Sequence, residues 1–321
     1  MSSKGRGAME PIVDVIIPTL KPGKEFWELI DRLETQTVSV GRIIIMNTEE
    51  KYFERAKYGN RIKRYENVEV HHLSRREFDH GDTRNRGVRK SKTPYFVCMT
   101  QDALPADERL LEYLLAPLLT GEADVSYARQ LPKEGCSPAE CFTKRFNYPE
   151  ESRIKGNEDI QELGIKAFFC SNACAAYNRS TFDRMGGFIR RTIFNEDMVY
   201  AAGVVKAGGK IAYTAQAKVL HSHNYTWKQN FHRNFDLGVS QADHPEVFEA
   251  VKSESEGIKL VGQTAAYLKE SGNGKLILPM LWNSGWKFLG YKLGRNYRKL
   301  PKGFVIKCSM NRNYWYELTE R

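Results

Sequence analysis

The chain has 321 residues, 41% of them hydrophobic, enough to bury the core of one large domain or of one domain with an appendage, and too apolar for a disordered polymer. Lys and Arg number 49 against 39 Asp and Glu, an excess that suits nucleic acid, anionic membrane or phosphorylated substrates, but the stretch from Lys275 onward holds ten basic and two acidic residues, so +8 of the formal +10 sits there. Six scattered cysteines without a C-x-x-C or secreted spacing, no apolar run behind Met-Ser-Ser-Lys-Gly-Arg and no apolar stretch of membrane-spanning length argue against a disulfide scaffold, a signal peptide and an integral membrane protein, and predict a cytoplasmic chain that is soluble or peripheral.

Residues 1–10 are predicted to be disordered. Val13 to Ile17 is a continuous apolar run stopped by Pro18 and Thr19, the pattern of a buried parallel strand. From Lys24 to Thr37 the residues Phe26, Trp27, Leu29, Ile30 and Leu33 recur at helical spacing, and Arg42 to Met46 is a second apolar strand ending at Asn47 and Thr48. Together these make a βαβ unit. A strand at Val68 to Leu73, a helix from about Asp82 to Lys90 and a strand at Tyr95 to Thr100 extend it into an open α/β sheet. A helix near 107–119 and a strand at Asp124 to Arg129 follow, and then the patterning weakens from Leu131 to Gly164, which reads as a mobile or substrate-facing insert. Regularity returns at Ala167 to Tyr177, with helices at about 180–185 and 195–207 and a strand near Lys210 to Tyr213. Beyond about Tyr225 the pattern is helical, and near the end Leu281, Trp282, Trp286, Phe288, Leu289 and Tyr291 interleave with Lys and Arg as an amphipathic stretch.

Ligands of open α/β sheets bind outside the carboxyl ends of the strands. Those ends deliver Thr19, then Asn47, Thr48 and Glu49, then Gln101 and Asp102. Strand ends are polar wherever chains turn, so it is the set and not any one member that marks a crevice. Asp102 is a lone carboxylate where a buried strand emerges, and one carboxylate suffices for a hard cation such as Mg²⁺ or Mn²⁺ when the substrate brings phosphates; the plain alternative is a turn aspartate. Asp82 is available as a helix cap, and Arg84 stands in a first turn where the helix dipole disfavours a cation, so a nucleotide diphosphate or an acidic neighbour is expected as its partner. Glu196 and Asp197 open another helix, and adjacent carboxylates face different ways, so one can act as a general base while the other is held structurally. His221 and His223 lie two apart behind a strand-like run, and His223 is placed to complete a coordination begun by Asp102.

The segments Val15-Ile-Ile-Pro-Thr19, His80-Gly-Asp-Thr-Arg-Asn-Arg-Gly87, Thr100-Gln-Asp-Ala-Leu-Pro105, Ser171-Asn-Ala-Cys-Ala-Ala176, Gly186-Gly-Phe188, Asn195-Glu-Asp197 and His221-Ser-His-Asn-Tyr-Thr226, in this order, resemble family 2 glycosyltransferases, and within them the bacterial rhamnosyltransferases of polysaccharide assembly. The match spans about residues 12–235. It implies a GT-A fold, an open mixed sheet flanked by helices, over residues 11–225, with a helical, basic region at 226–321. It also implies an inverting transfer from a donor such as dTDP-β-L-rhamnose to a saccharide hydroxyl, the acceptor being polyprenyl-linked and the protein peripheral at the inner face of the cell membrane. On this resemblance Thr19, Asn47, Glu49, Asp82, Arg84, Gln101 and Asp102 serve the donor, Asp102 and His223 hold Mg²⁺ or Mn²⁺, Asp197 is the base with Glu196 as the alternative, and Ser171 and Asn172 lie near the acceptor. Two departures stand out: Gln101-Asp102-Ala103 has one carboxylate where the family often has two, and Asn47 replaces the usual Asp. A UDP-hexose donor is an alternative within this reading. A non-catalytic module that binds an anionic membrane surface through the basic aromatic end is an alternative outside it, favoured over nucleic acid. A nucleotidyltransferase lacks support because no early glycine-rich basic loop is present.

Overall fold

The computed structural model describes residues 12–53, 61–249 and 254–317; the start expected to be disordered lies outside them. One mixed nine-stranded sheet organises the molecule. Strands β1 (Val13–Leu20), β2 (Val40–Thr48), β3 (Val68–Leu73) and β4 (Tyr95–Met99) are parallel in the order β3-β2-β1-β4. The apolar runs of β1, β2 and β4 are explained by cover on both faces, whereas the edge strand β3 is mostly half-buried. Val13, Val15 and Ile17 of β1 pack with Phe26, Trp27 and Leu29 of helix α1 (Lys24–Glu34), while Ile16 turns to the opposite core with Val88 of α2 (His80–Lys90).

Beyond β4 the directions mix. Short β5 (Leu104–Pro105), α3 (Leu110–Leu119), β6 (Val125–Leu131), α4 (Pro138–Asn147), β7 (Arg153–Lys155), β8 (Cys174–Asn178), α5 (Arg179–Arg184), α6 (Glu196–Lys206) and β9 (Ile211–Leu220) follow in chain order. Strand β8 is antiparallel to β4 and to β6, and β9 is parallel to β6. The strand expected near 210–213 and the strand-like run before His221 are one strand, interrupted by a register slip: Ala128 pairs with Thr214 but Arg129 pairs with Lys218. Past the slip, Gln130 lies opposite Val219, and His221 projects to the same side two residues on.

One expectation is corrected and another is filled in. Helix α2 starts at His80, and its cap is Asp79, whose carboxylate accepts the Asp82 N–H at 2.7 Å. Asp82 is thereby free to pair with Arg86 at 2.9 Å and Arg190 at 3.5 Å. The weakly patterned stretch 131–164 contains a capped helix, α4, started by Ser137 accepting from the Glu140 N–H at 3.3 Å. It buries no side chain fully, so it shows little apolar periodicity to read.

The C-terminal part is helical, as expected: α7 (Trp227–Asp243), α8 (Glu254–Glu270), α9 (Ile277–Arg295) and α10 (Lys302–Cys308). Helices α7 and α9 touch backbone to backbone, because a Cβ on Gly290 would lie 2.3 Å from the Phe231 carbonyl oxygen and one on Gly294 2.1 Å from that of Phe235. Phe235 and Val239 of α7 share a small core with Ile193, Val305 and Trp315, which ties this region to the loop leading into α6. The far side of α9 is open: Leu278, Leu281, Trp282 and Leu289, on one helical face, are 78%, 43%, 61% and 43% exposed. Among the described residues no helix is long and apolar enough to cross a membrane.

Candidate functional site

Asp102 emerges from β4 in a turn closed by the Ala103 N–H donating to the Thr100 carbonyl at 3.1 Å. Two imidazoles from the end of β9 meet it. His221 Nε2 is 3.6 Å from one carboxylate oxygen, His223 Nε2 is 3.5 Å from the other, and the two Nε2 atoms are 3.1 Å apart. Three ligand atoms thus converge on one point, in a spacing that can hold a metal ion. His221 is the member that the sequence reading left out of the ligand set.

The protonation of His221 follows from its outer neighbours. Gln130 Oε1 accepts from Lys144 Nζ at 2.7 Å, and an ammonium can only donate, so that atom is the amide oxygen. The same oxygen lies 2.9 Å from His221 Nδ1, which must therefore carry the proton and leave Nε2 with a free lone pair beside Asp102. Burial, with Lys144, His223 and Lys133 adding to it, outweighs the pull of Asp102 and pushes the His221 imidazole down to about 3. It is neutral at physiological pH, the form that ligates metals. His223 stacks on Tyr225 with ring centroids 4.8 Å apart, which fixes its orientation. Two imidazoles and one carboxylate form a more nitrogen-rich set than Mg²⁺ favours, and fit a first-row transition ion such as Mn²⁺ better.

The second part of the site begins at Asn195, held at φ +64 in the left-handed region, which Asn tolerates better than most residues. Its side chain is pinned to Ser240 Oγ of α7 at 3.2 Å. This turn aims the two carboxylates that follow in different directions. Glu196 is buried and pairs with the buried Arg84 at 3.1 Å while accepting from Asn172 Nδ2 at 3.0 Å. Burial pushes its carboxyl up, but Arg84 and His80 outweigh this and hold it below the ordinary range. Asp197 is only partly exposed and, among the described residues, has no such partner: one oxygen accepts the Asn172 N–H at 2.9 Å, the other its own helix's Met198 N–H at 2.8 Å. Burial and then the Glu196 charge raise its carboxyl to about 7. Such a group is a competent proton acceptor near neutrality.

Hydrogen bonds and one step along the chain join the two parts, from His221 to Gln130, from Gln130 Nε2 to Ser171 Oγ at 2.9 Å, and from the backbone of the next residue, Asn172, to Asp197. Ser171 thus stands between the three-ligand cluster and Asp197. Asn172 is 2% exposed, with its amide nitrogen on Glu196 and its amide oxygen accepting from Tyr177 at 2.7 Å, so it holds carboxylates in place and offers no free side-chain atom to a sugar.

The remaining strand-end residues divide in the same way. Thr19 donates to Asn47 Oδ1 at 3.1 Å, and Asn47 Nδ2 reaches the Glu49 carbonyl and His72 Nδ1, a buried clasp across the ends of β1, β2 and β3. Gln101 uses both amide atoms on the Leu20 backbone, each at 3.0 Å. Glu49, partly exposed at φ +65, takes the Arg75 N–H at 2.8 Å. Arg84 has an acidic neighbour, Glu196, as its partner and lies 5% exposed, beneath the crevice and not on its wall. Gln130 and Lys144 were missed by the sequence reading. The register slip in β9 brings Gln130 beside His221, and α4 carries Lys144 to Gln130.

With this geometry the chain can be compared to known proteins. The family model described as Glycosyl transferase family 2 matches residues 14–186. The O-antigen chain rhamnosyltransferase RfbN of Salmonella typhimurium is 35% identical over 310 residues, 94% of this chain and 96% of that protein. The O-antigen chain rhamnosyltransferase WbaN of Salmonella anatum is 37% identical over 312 residues, 95% of this chain and 96% of that one. In fold, the chain is similar to the mannosyltransferase PcManGT from Pyrobaculum calidifontis, solved with GDP-Man and Mn²⁺, with a TM-score of 0.57 at 13% identity over 95% of this chain and 88% of that one. TarS residues 1–349 of S. aureus, solved with UDP-GlcNAc, match with a TM-score of 0.50 at 14% identity over 89% of this chain and 91% of the other.

Proposed function

The chain belongs to glycosyl transferase family 2 and is a glycosyltransferase of GT-A-like fold, and from that premise we propose that it moves L-rhamnose from dTDP-β-L-rhamnose, with inversion, to a hydroxyl of a lipid-linked saccharide in polysaccharide synthesis. The two O-antigen rhamnosyltransferase relatives, matched over nearly their whole length, support the sugar and the pathway class. The observation that carries the chemistry is the pairing of a three-ligand cluster with a carboxylate raised to about 7 on the far side of Ser171.

Asp102, His221 and His223 would hold the divalent ion, which when bound neutralises charge on the donor's diphosphate. Asp197 takes the proton from the acceptor hydroxyl as its oxygen forms the bond to the anomeric carbon, while the bond from that carbon to the diphosphate oxygen breaks and the nucleoside diphosphate leaves with the electron pair. Glu196, ion-paired to Arg84, keeps the Asp197 pKa high through its charge, while the Asn172 and Met198 N–H groups hold the Asp197 carboxylate. Ser171, between the two centres, would offer a polar contact to a sugar, and Glu49, partly exposed and paired with Lys51 at 3.4 Å, would be the strand-end carboxylate that meets the nucleoside.

A membrane-surface role for 226–321 is supported by the open apolar face of α9 and by the absence of any acidic residue between Lys275 and Arg312 against nine basic ones. It accords with a cytoplasmic protein peripheral at the inner membrane face.

Incubation with dTDP-L-rhamnose, UDP-glucose and UDP-galactose in turn, with Mn²⁺, Mg²⁺ or EDTA and a lipid-linked saccharide acceptor, tests the reading through nucleoside diphosphate release. Metal-dependent release from the rhamnose donor alone is expected, Mn²⁺ outperforming Mg²⁺. Release from a UDP-sugar only would keep the class and overturn the donor.

A further inference from the structure

Beyond β6 the chain runs alongside the segment that carries the two histidines. The Leu131 carbonyl accepts the His221 N–H at 2.9 Å, and the Lys133 N–H donates to Ser222 Oγ at 3.0 Å. Asn224 bonds the Gly135 carbonyl at 3.1 Å and the Ser137 N–H at 3.3 Å. Lys133 is thus fixed by its backbone beside Ser222, between His221 and His223, while its ammonium pairs at 3.0 Å with Glu25 in the first turn of α1. The start of α1 is itself joined to Asp102: Gln101, the residue before it, bonds the Leu20 N–H and carbonyl, and α1 begins at Lys24. The contacts therefore close a ring, from Leu20 to Gln101 and Asp102, across to His223 and Ser222, on to Lys133 and Glu25, and back along the chain.

The other links of this ring are covalent, bonds to backbone, or the ligand cluster itself, so the Lys133–Glu25 pair is the one that a ligand can replace. The Lys133 side chain is 18% exposed but that of Glu25 is 53% exposed, and water screens such a pair until it contributes little to stability. Glu25 has a second source of stabilisation in the N-terminal end of the α1 dipole. Among the described residues Lys133 pairs with no other acid. Asp102, the carboxylate inside the ring, is already engaged by the two imidazoles at 3.6 and 3.5 Å. Burial pushes its carboxyl up, and His221, His223 and Lys133 together outweigh that and hold it below the ordinary range. A lysine ammonium is a point charge on a flexible stem, and a phosphate oxygen is a stronger partner for it than a half-exposed carboxylate. We propose that Lys133 is a donor-binding residue that gives up Glu25 for the diphosphate of the nucleotide sugar, Glu25 being the stand-in anion that closes the ring until the donor enters. This rests on the ion and donor roles proposed above for the Asp102 cluster; the identity of the nucleoside does not enter it.

The test uses the full chain with saturating Mn²⁺ and titrates inorganic pyrophosphate, dTDP and UDP by calorimetry. Lys133→Gln should raise the Kd for pyrophosphate, and for the nucleotide that binds, about tenfold, while Lys133→Arg keeps most of the affinity. Glu25→Gln removes the competitor and should lower the same Kd about threefold, with no effect once Lys133→Gln is present. The opposite signs separate exchange from a tether, since an ion pair that only holds residues 131–137 in place would weaken binding when broken from either side. If dTDP binds with one Kd in every folded variant, or if both single substitutions weaken pyrophosphate binding, the proposal is overturned and the donor reading stands. If the two signs are read with pyrophosphate and UDP while dTDP does not bind, Lys133 keeps its place and it is the dTDP donor that falls. A wild-type chain that binds dTDP but not pyrophosphate would also overturn the proposal, because it would leave the diphosphate without a site of its own.

Discussion

Glu196 and Asp197 are neighbours in sequence with opposite electrostatic fates, so single substitutions separate their roles. Glu196→Gln leaves the Arg84 guanidinium, 6% exposed in its side chain, without its countercharge. Breaking a buried pair from one side costs about 3–5 kcal/mol, so denaturant unfolding should show a large loss of stability. Asp197→Asn removes no ion pair, and is expected to melt near the wild-type temperature while kcat falls about 10²- to 10⁴-fold. If the loss of activity instead follows Glu196→Gln in a protein that remains stable, the base is Glu196. The pH profile has a definite sign. A base must be ionised to accept a proton, and with the carboxyl raised to about 7, kcat/KM should climb about tenfold per pH unit up to that point and flatten above it. On the metal side, Gln130→Leu removes the acceptor that keeps the His221 proton on Nδ1. Mn²⁺ affinity of the free protein, titrated by electron paramagnetic resonance, should fall about 10- to 100-fold, as when other outer partners of metal-bound histidines are lost; unchanged affinity would take His221 out of the ligand set.

At the scale of elements, the parallel half of the sheet was legible because β1, β2 and β4 are covered on both faces and read as apolar runs leading to Thr19, Asn47 or Gln101. The order of polar residues at those ends was legible too; their partners were not. Thr19 and Asn47 bond each other, and Gln101 bonds Leu20, through a register that sequence spacing does not encode. Helix α4 escaped notice because it buries nothing fully, and Gln130 did because the slip between Ala128 and Arg129 brings it beside His221. The glycines of α9 were equally silent, since their meaning lies in the helix they touch. Gly294→Ala would push a methyl group to 2.1 Å from the Phe235 carbonyl oxygen. Overpacking of this kind costs about 1–3 kcal/mol or more, so the variant should lose its α7–α9 packing first, visible as early proteolytic cleavage within 226–321 ahead of global melting. A variant that resists protease as the wild type does would show that the two helices can part without consequence.

For the whole molecule, charge and apolar surface are segregated onto the same region. The nine basic residues from Lys275 to Arg312 meet no acid in that stretch, and Leu278, Leu281, Trp282 and Leu289 stand open on one face of α9. A solvated helix has no need of four large apolar side chains in water, whereas an interfacial one uses them together with its lysines: the charge draws it to an anionic leaflet and the apolar face enters the acyl boundary. The wild-type chain should therefore sediment with phosphatidylglycerol-containing vesicles and not with neutral phosphatidylcholine ones, less so as salt rises. Leu278→Glu with Trp282→Glu should weaken that association by about tenfold or more while transfer to a water-soluble acceptor persists, because neither residue belongs to the polar wall from His221 to Asp197. Sedimentation that is equal on both vesicle types, or untouched by the double substitution, would assign the face to a protein partner or a second copy of the chain. Retained soluble activity in the double variant matters as much as lost binding, since it separates reaching the acceptor from reacting with it.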